Sequence, residues 1–336
     1  MKPFIGRDRE LKILDNLIDR QGAQFLVLYG RRRIGKTALL NQWQISREKN
    51  SKRDRTLYWM ATQTSFTNQL RDFSQTIFGF RYPESVIPEE FSYHSWEEAF
   101  SEAGRIAESE RVVVILDEFT YVMQASSEIA SILQKVWDHQ LQNSQILLIL
   151  SGSLAGMIER HILGYRAALY GRATARLKLQ PLPFGALALL LPKMTTEQRV
   201  AVYTITGGIP AYIQPFDDNL NLIQNLRERI ITPINVMLND AVFLLREQVE
   251  EPRNYMAVIE SIANGRHRLS DIAKGAGLDR SNVNRYLTVL RELGYAERCV
   301  PVTVRHPERS RRGRHVIVDP YMRFYFTLFT SLYPRH

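Results

Sequence analysis

Short apolar runs punctuate an otherwise amphipathic chain. Residues 25–29 (FLVLY), 111–116 (RVVVIL) and 145–150 (QILLIL), the last two each opened by one polar residue, carry apolar side chains at consecutive positions rather than at alternate ones. A run of that length predicts a strand buried on both faces, which is the habit of parallel sheets covered by helices. Residues 56–60 (TLYWM) and 173–179 (ATARLKL) read as two further strands, the second preceded by a glycine-containing turn. Between the runs the period changes. Glu10, Leu11, Ile13, Leu14, Leu17 and Ile18 fall at helical spacing, residues 37–40 open a helix with good formers, and 96–107 read as a third helix. Strands alternating with helices define an α/β core over residues 1–183. Beyond it, 184–251 show helical spacing alone, with Val236, Leu238, Val242, Leu244 and Leu245 as one apolar face.

The last stretch, 252–336, has a different rhythm. Helices are expected at 255–263, 269–273 and 280–293, separated by Asn264–Gly265 and by a turn at Gly275, Ala276 and Gly277. Strands are expected at 300–304 and 315–318, on either side of a basic loop. Three helices followed by a two-stranded wing make a winged helix-turn-helix.

Charge sharpens that reading. The chain carries 44 Lys and Arg against 35 Asp and Glu. Residues 253–336 hold 15 of the former and 7 of the latter, a net of +8, and the first 252 residues hold 29 and 28. The basic excess therefore sits on the winged helix and points to a polyanion, with double-stranded DNA the expected partner. Arg280, Asn282, Asn284 and Arg285 stand at the start of the third helix, where a recognition helix meets base edges. Arg309, Arg311, Arg312 and Arg314 of the wing would meet phosphates or the minor groove. Winged helices also bind proteins, so a protein partner at this domain is the alternative.

Composition removes other classes. A length of 336 residues suggests two or three domains, and 45% hydrophobic residues suffice for real cores. The single cysteine, Cys299, cannot close an intramolecular disulfide, and none of the seven histidines is assigned to a metal. No signal-peptide pattern opens the chain and no apolar run approaches the roughly 18 residues of a membrane span, so a cytoplasmic protein without a membrane partner is expected.

The chemistry concentrates at the ends of the apolar strands. Gly30, Arg31, Arg32, Arg33, Ile34, Gly35, Lys36 and Thr37 form a G-x4-G-K-[ST] loop between a strand and a helix, the context in which this motif cradles phosphates. Its glycines permit the tight turn, the helix N-terminus favours an anion, Lys36 would reach the β- and γ-phosphates, and Thr37 would ligate Mg²⁺. Asp117 and Glu118 close the run at 111–116 in a Walker B pattern. Asp117 would hold the metal, directly or through water, and Glu118 would act as general base on the attacking water. The expected cofactors are ATP and Mg²⁺; a guanine-specifying [NT]-K-x-D box and an L-S-G-G-Q signature are both absent from the sequence.

Together with the phosphate loop and the Asp-Glu end, Phe4-Ile5-Gly6-Arg7, Ser151-Gly152-Ser153, Leu169-Tyr170-Gly171-Arg172 and Gly207-Gly208-Ile209-Pro210-Ala211-Tyr212 make the sequence similar to the archaeal-type ATPase family. This is a STAND-like, AAA+-related branch of P-loop ATPases. The likeness continues through Glu251-Pro252 with Tyr255 and through Asp319-Pro320-Tyr321-Met322-Arg323-Phe324, so it covers nearly the whole chain. It implies a P-loop NTPase core with a parallel sheet, a helical lid and the winged helix. It also implies that Phe4, Ile5, Gly6 and Arg7 lie beside the adenine, and that Pro210 packs near the nucleotide. Ser151, with Ser153 second, would sense the γ-phosphate; serines that merely end a strand are the alternative. Arg172, with Arg176 second, would be an arginine finger acting on a neighbouring copy, which requires a homo-oligomer. An arginine paired with a carboxylate on its own surface is the alternative. The implied activity is an ATP-binding and hydrolysing switch coupled to the winged helix; the alternative is a STAND-type signalling scaffold in which the winged helix binds a protein. Many family members continue into a nuclease-like domain, and after Asp319 this sequence has no metal-ligating carboxylate and lysine set.

Overall fold

A computed structural model describes residues 4–49, 55–232, 235, 237–306, 310 and 312–329. The chain divides into two compact units, the first Gly6–Gln180 and the second the described part of Pro181–His336 with Phe4 and Ile5.

The first unit is a five-stranded sheet. Its strands are β1 (Gln24–Tyr29), β2 (Arg55–Met60), β3 (Val112–Asp117), β4 (Ile146–Gly152) and β5 (Ala175–Lys178). All pairings are parallel and the spatial order is β2-β3-β4-β1-β5. Every residue of β1, β3 and β4 is buried, as unbroken apolar runs require. At the sheet edges β2 and β5 alternate in burial, which explains their less pure sequences. A large apolar cluster covers one face, where Phe73 and Trp96 from the helices Phe66–Arg81 and Trp96–Ile106 meet Trp59 of β2 and Phe100 packs against both. Because the strands are parallel, all their C-terminal ends open on one edge, where loops after adjacent strands are brought together.

In the second unit, short helices follow one another: Ala186–Leu190, Thr196–Thr206, Pro210–Ile213 and Leu222–Asn225, then the longer Met237–Gln248. Gly207 ends Thr196–Thr206 in the left-handed conformation, with φ of 60°. A side chain at Gly208, with φ of 75°, would collide with the Leu182 carbonyl oxygen. The Gly-Gly pair is thus dictated by the turn. In Met237–Gln248 the buried positions are Met237, Asp240, Ala241, Leu244 and Leu245, so Leu238 and Val242 of the expected face are only half-buried. Val236 lies outside the described residues.

The helices Pro252–Ala263, Leu269–Ala276 and Arg280–Glu292 follow, then β6 (Ala296–Cys299) and β7 (Arg314–Ile317) as an antiparallel pair. Here the expected wing needs correction. The strand placed at 300–304 forms earlier, over Ala296–Cys299, because Pro301 lacks the N–H a ladder needs and the chain turns there instead. Among the described residues no helix is long and apolar enough to cross a membrane.

His315 of β7 is buried, and burial together with the nearby Arg291 and Arg298 lowers its pKa to about 4. The folded unit therefore keeps His315 neutral where an unfolded chain, titrating near 6.5, takes up a proton. Stability should fall as pH drops from about 6.5 to 4, by on the order of 2–3 kcal/mol for this group. Thermal melts across that range should show the loss, and His315→Gln should flatten the slope whatever it does to the melting temperature at neutral pH.

Candidate functional site

The 30–37 loop leaves β1 and enters the helix Lys36–Lys49. Its backbone is bent hard. Gly30 has φ of 155°, Arg33 66° and Gly35 94°, and a Cβ on Gly30 would lie 2.7 Å from the Leu179 carbonyl oxygen. Arg33 holds a left-handed conformation that costs a non-glycine residue about 1–3 kcal/mol, so the surroundings over-determine it. Arg7 is part of that support. Buried to 4% exposure, it donates to the Ile34 carbonyl at 3.1 Å and pairs with Glu10 at 3.2 Å. Burial lowers its pKa, partly offset by Glu10.

Lys36 turns back under the loop, donating to the Gly30 carbonyl at 3.3 Å and facing Glu118 Oε1 at 3.8 Å. Burial lowers its pKa, and the Glu118 and Asp117 charges work against that shift. Thr37, one residue on, donates its hydroxyl to Asp117 Oδ2 at 2.8 Å. Asp117 is fully buried at the end of β3, and its Oδ1 accepts the Glu118 N–H at 2.9 Å. Glu118 is itself left-handed, with φ of 50°, and that turns its side chain from the strand direction toward Ser153. Ser153 donates to Glu118 Oε2 through both Oγ, at 2.7 Å, and its N–H, at 3.2 Å. Ser151, fully buried on β4, has a hydroxyl with no hydrogen-bond partner among the described residues.

An ammonium, a hydroxyl and two carboxylates from sequence positions eighty residues apart thus converge at the C-terminal ends of β1 and β3, the two strands that flank β4. The N–H groups of a helix's first turn lack intrahelical acceptors and supply positive potential to the same place. Such a set can hold a phosphate chain and a hard cation with oxygen ligands. Among the described residues no three His, Cys, Asp or Glu gather as a metal centre, so a cation here would need ligands from its own anion as well.

Other expected residues are divided between the two units. Gly6, with φ of 74°, and Arg7 belong to the first unit, whereas Phe4, Ile5 and Pro210 group with the second, Pro210 as the first residue of Pro210–Ile213. Arg172 precedes β5 and therefore stands at the opposite end of the parallel sheet from the 30–37 loop. Its guanidinium makes a two-pronged pair with Asp138, at 3.1 and 2.8 Å, beside an open cleft lined by Trp137, Tyr170 and Thr174. That pair lowers the Asp138 pKa. Arg176 lies within β5 itself, on its exposed face. Sequence patterning gave Tyr58 no role beyond a strand, yet its hydroxyl donates to Asp117 Oδ2 at 2.8 Å. A polar tip close to the C-terminal end of a strand neighbouring β3 was the available signal.

On the helix-turn-helix, Arg280, Asn282, Asn284 and Arg285 are exposed along the first turns of Arg280–Glu292, whose inner face buries Val283, Tyr286, Leu287 and Leu290. Arg285 is held 3.6 Å from Glu251 and lies over the Tyr286 ring. Arg312 and Arg314 are exposed and, with Arg268, line an open groove at the wing. Arg309 and Arg311 lie outside the described residues.

The fold and the loop define a P-loop-type ATPase domain joined to a helix-turn-helix domain of the DNA-binding type. Comparison with known proteins gives the family. The family described as an ATPase domain predominantly from Archaea matches residues 4–216, and an IclR helix-turn-helix domain matches residues 254–298. The chain belongs to this archaeal-type ATPase family. It is 32% identical over 329 residues to the uncharacterized protein MJECL04 of Methanocaldococcus jannaschii, a match covering 96% of this chain and 68% of that one. Among solved structures it resembles the Walker-type ATPase PABY2304 of Pyrococcus abyssi, with a TM-score of 0.63 and 18% identity over 97% of this chain and 96% of that one. It also resembles the ORC2 protein of Aeropyrum pernix, solved as ADPNP–ADP complexes, with a TM-score of 0.60 and 12% identity over 99% and 97%. At those identities the likeness is one of fold.

Proposed function

We propose that this protein binds ATP with Mg²⁺, hydrolyses it, and uses the nucleotide state to control a DNA-binding winged helix. The observation that carries the reading is the convergence of Lys36, Thr37, Asp117 and Glu118 at one edge of the sheet. The donor set suits the metal. Thr37 and Asp117 offer oxygen only, and the close approach of Gly30 to Leu179 leaves room for backbone but not for a side chain. When bound, Mg²⁺ neutralises charge on the β- and γ-phosphates. Residues 30–37 would cradle the phosphates, Thr37 and Asp117 would hold the metal, and Lys36 would bridge the phosphates. Glu118, set by Ser153, would take a proton from water. The unpartnered Ser151 hydroxyl has capacity to spare for the γ-phosphate. Phe4, Ile5, Gly6, Arg7 and Pro210 remain candidates for the base side of the nucleotide.

Arg172 stands at the far end of its own sheet, so a part in hydrolysis would be played on a second copy. It would have to leave Asp138 to do so. Arg172→Ala with normal turnover would remove the reason to expect a multimer.

Exposed Arg280, Asn282, Asn284 and Arg285 and the wing arginines support duplex DNA as the partner, as does the charge excess of 253–336. The deciding experiment is the steady-state ATPase rate with and without duplex DNA, at low and moderate salt. Stimulation that fades with salt supports a DNA-coupled switch. A rate indifferent to DNA favours a signalling scaffold whose winged helix binds a protein. Replacing Arg312 and Arg314 by Gln should lower the slope of log affinity against log salt by about 0.9 for each phosphate no longer neutralised. Filter binding or fluorescence anisotropy across a salt series reads that change directly.

A further inference from the structure

Tyr58 sits on β2, two residues before Met60, the residue in register with Asp117 of β3. Its side chain reaches toward the strand end and donates to Asp117 Oδ2, the same oxygen that receives the Thr37 hydroxyl, each at 2.8 Å. With the Glu118 N–H on Oδ1, three uncharged donors fix a fully buried carboxylate. The consequence for Thr37 is geometric. Its hydroxyl has one proton and two lone pairs; with the proton committed to Asp117, both lone pairs face away from it. A cation that Thr37 is to hold needs those lone pairs outward. Anything that lets Asp117 rotate lets the Thr37 proton swing into the cation's place. Without Tyr58, the Glu118 N–H would still hold Oδ1, but Oδ2 would have Thr37 as its single donor and could shift about that bond. The second donor on the same oxygen comes from a different strand and removes that freedom.

We propose that Tyr58 is a positioning residue: by pinning Asp117 Oδ2 it orients the Thr37 hydroxyl, and so sets how strongly the protein holds the metal of a metal–nucleotide complex without itself touching metal or nucleotide. This rests on the nucleotide reading above. Tyr58→Phe removes one oxygen and keeps the ring packing.

The test compares affinities for a fluorescent ATP analogue in Mg²⁺ and in EDTA, for the full chain and for Tyr58→Phe. The Mg²⁺-dependent gain in affinity should shrink about tenfold, as expected for one hydrogen bond to a charged group, while the metal-free affinity stays within about twofold. A double-mutant cycle adds a readout that a merely structural role would not move: on an Asp117→Asn background, Tyr58→Phe should have no further effect on the Mg²⁺ gain. Equal losses with and without Mg²⁺, no loss at all, or an undiminished effect on the Asp117→Asn background would each overturn the proposal. A parent protein that binds nucleotide equally in Mg²⁺ and EDTA overturns it too, leaving nucleotide binding standing. A parent that binds none in either condition overturns both readings.

Discussion

Lys36→Ala should weaken nucleotide binding by at least about 30-fold, and turnover with it. The expectation follows from where the ammonium sits. Lys36 is 5% exposed, folded back to the Gly30 carbonyl and 3.8 Å from Glu118. Burial lowers its pKa, meaning that the site tolerates the charge without fully compensating it. A phosphate chain arriving over the loop would supply the missing compensation. Truncating one partner of such a buried pair costs about 2–5 kcal/mol, or roughly 30-fold to several thousand-fold in affinity. Isothermal titration of ATP with the variant, alongside its melting curve, measures the loss. Retained stability with lost binding assigns Lys36 to the ligand. Retained binding would mean that the loop recognises phosphate by backbone alone, and the role given to Lys36 would be wrong.

How much of the fold and site is legible in the sequence depends on distance along the chain. The three central strands are legible because burial on both faces confines polar residues to near their ends; β1, β3 and β4 match the runs at 25–29, 111–116 and 145–150 nearly residue for residue. The 30–37 loop is legible because it is local: two glycines, a lysine and a threonine act within eight positions. Pairings set by register between strands are not. Nothing in the order of residues says that Tyr58 meets Asp117, because that depends on how β2 aligns with β3 and on a side chain long enough to run two residues forward. Ser151 and Ser153 show the same limit. Both lie at the end of β4 and either could have faced Glu118; the left-handed turn at Glu118 brings its carboxylate to Ser153. Arg172 likewise needs Asp138, thirty-four positions earlier, to be seen as half of an ion pair. The wing strand shifts because residues 300–304 have strand-like composition while a single proline among them cannot complete the ladder.

Glu118→Gln should separate binding from chemistry more sharply than any other substitution. The amide keeps the size of the carboxylate and its oxygen, so it can still accept both hydrogen bonds from Ser153 at the Oε2 position. The left-handed backbone at φ of 50° makes no distinction between Glu and Gln, so the turn out of β3 survives. Asp117, held by Thr37, Tyr58 and the Glu118 N–H, loses none of these partners. What disappears is basicity. An amide cannot take a proton from water, and the loss of a general base costs about 10²- to 10⁴-fold in rate. Removing one negative charge beside the phosphates also lowers repulsion there, so ATP affinity should hold or rise. The variant is therefore expected to bind ATP, keep its melting temperature within a few degrees, and turn over at least a hundredfold more slowly, roughly the lower bound for such a loss. Single-turnover hydrolysis measured alongside direct binding distinguishes the outcomes. A parental rate would show that Glu118 is not the base. Loss of binding together with loss of rate would place the Glu118 charge in the architecture of the site, where its 3.8 Å approach to Lys36 would be its principal work.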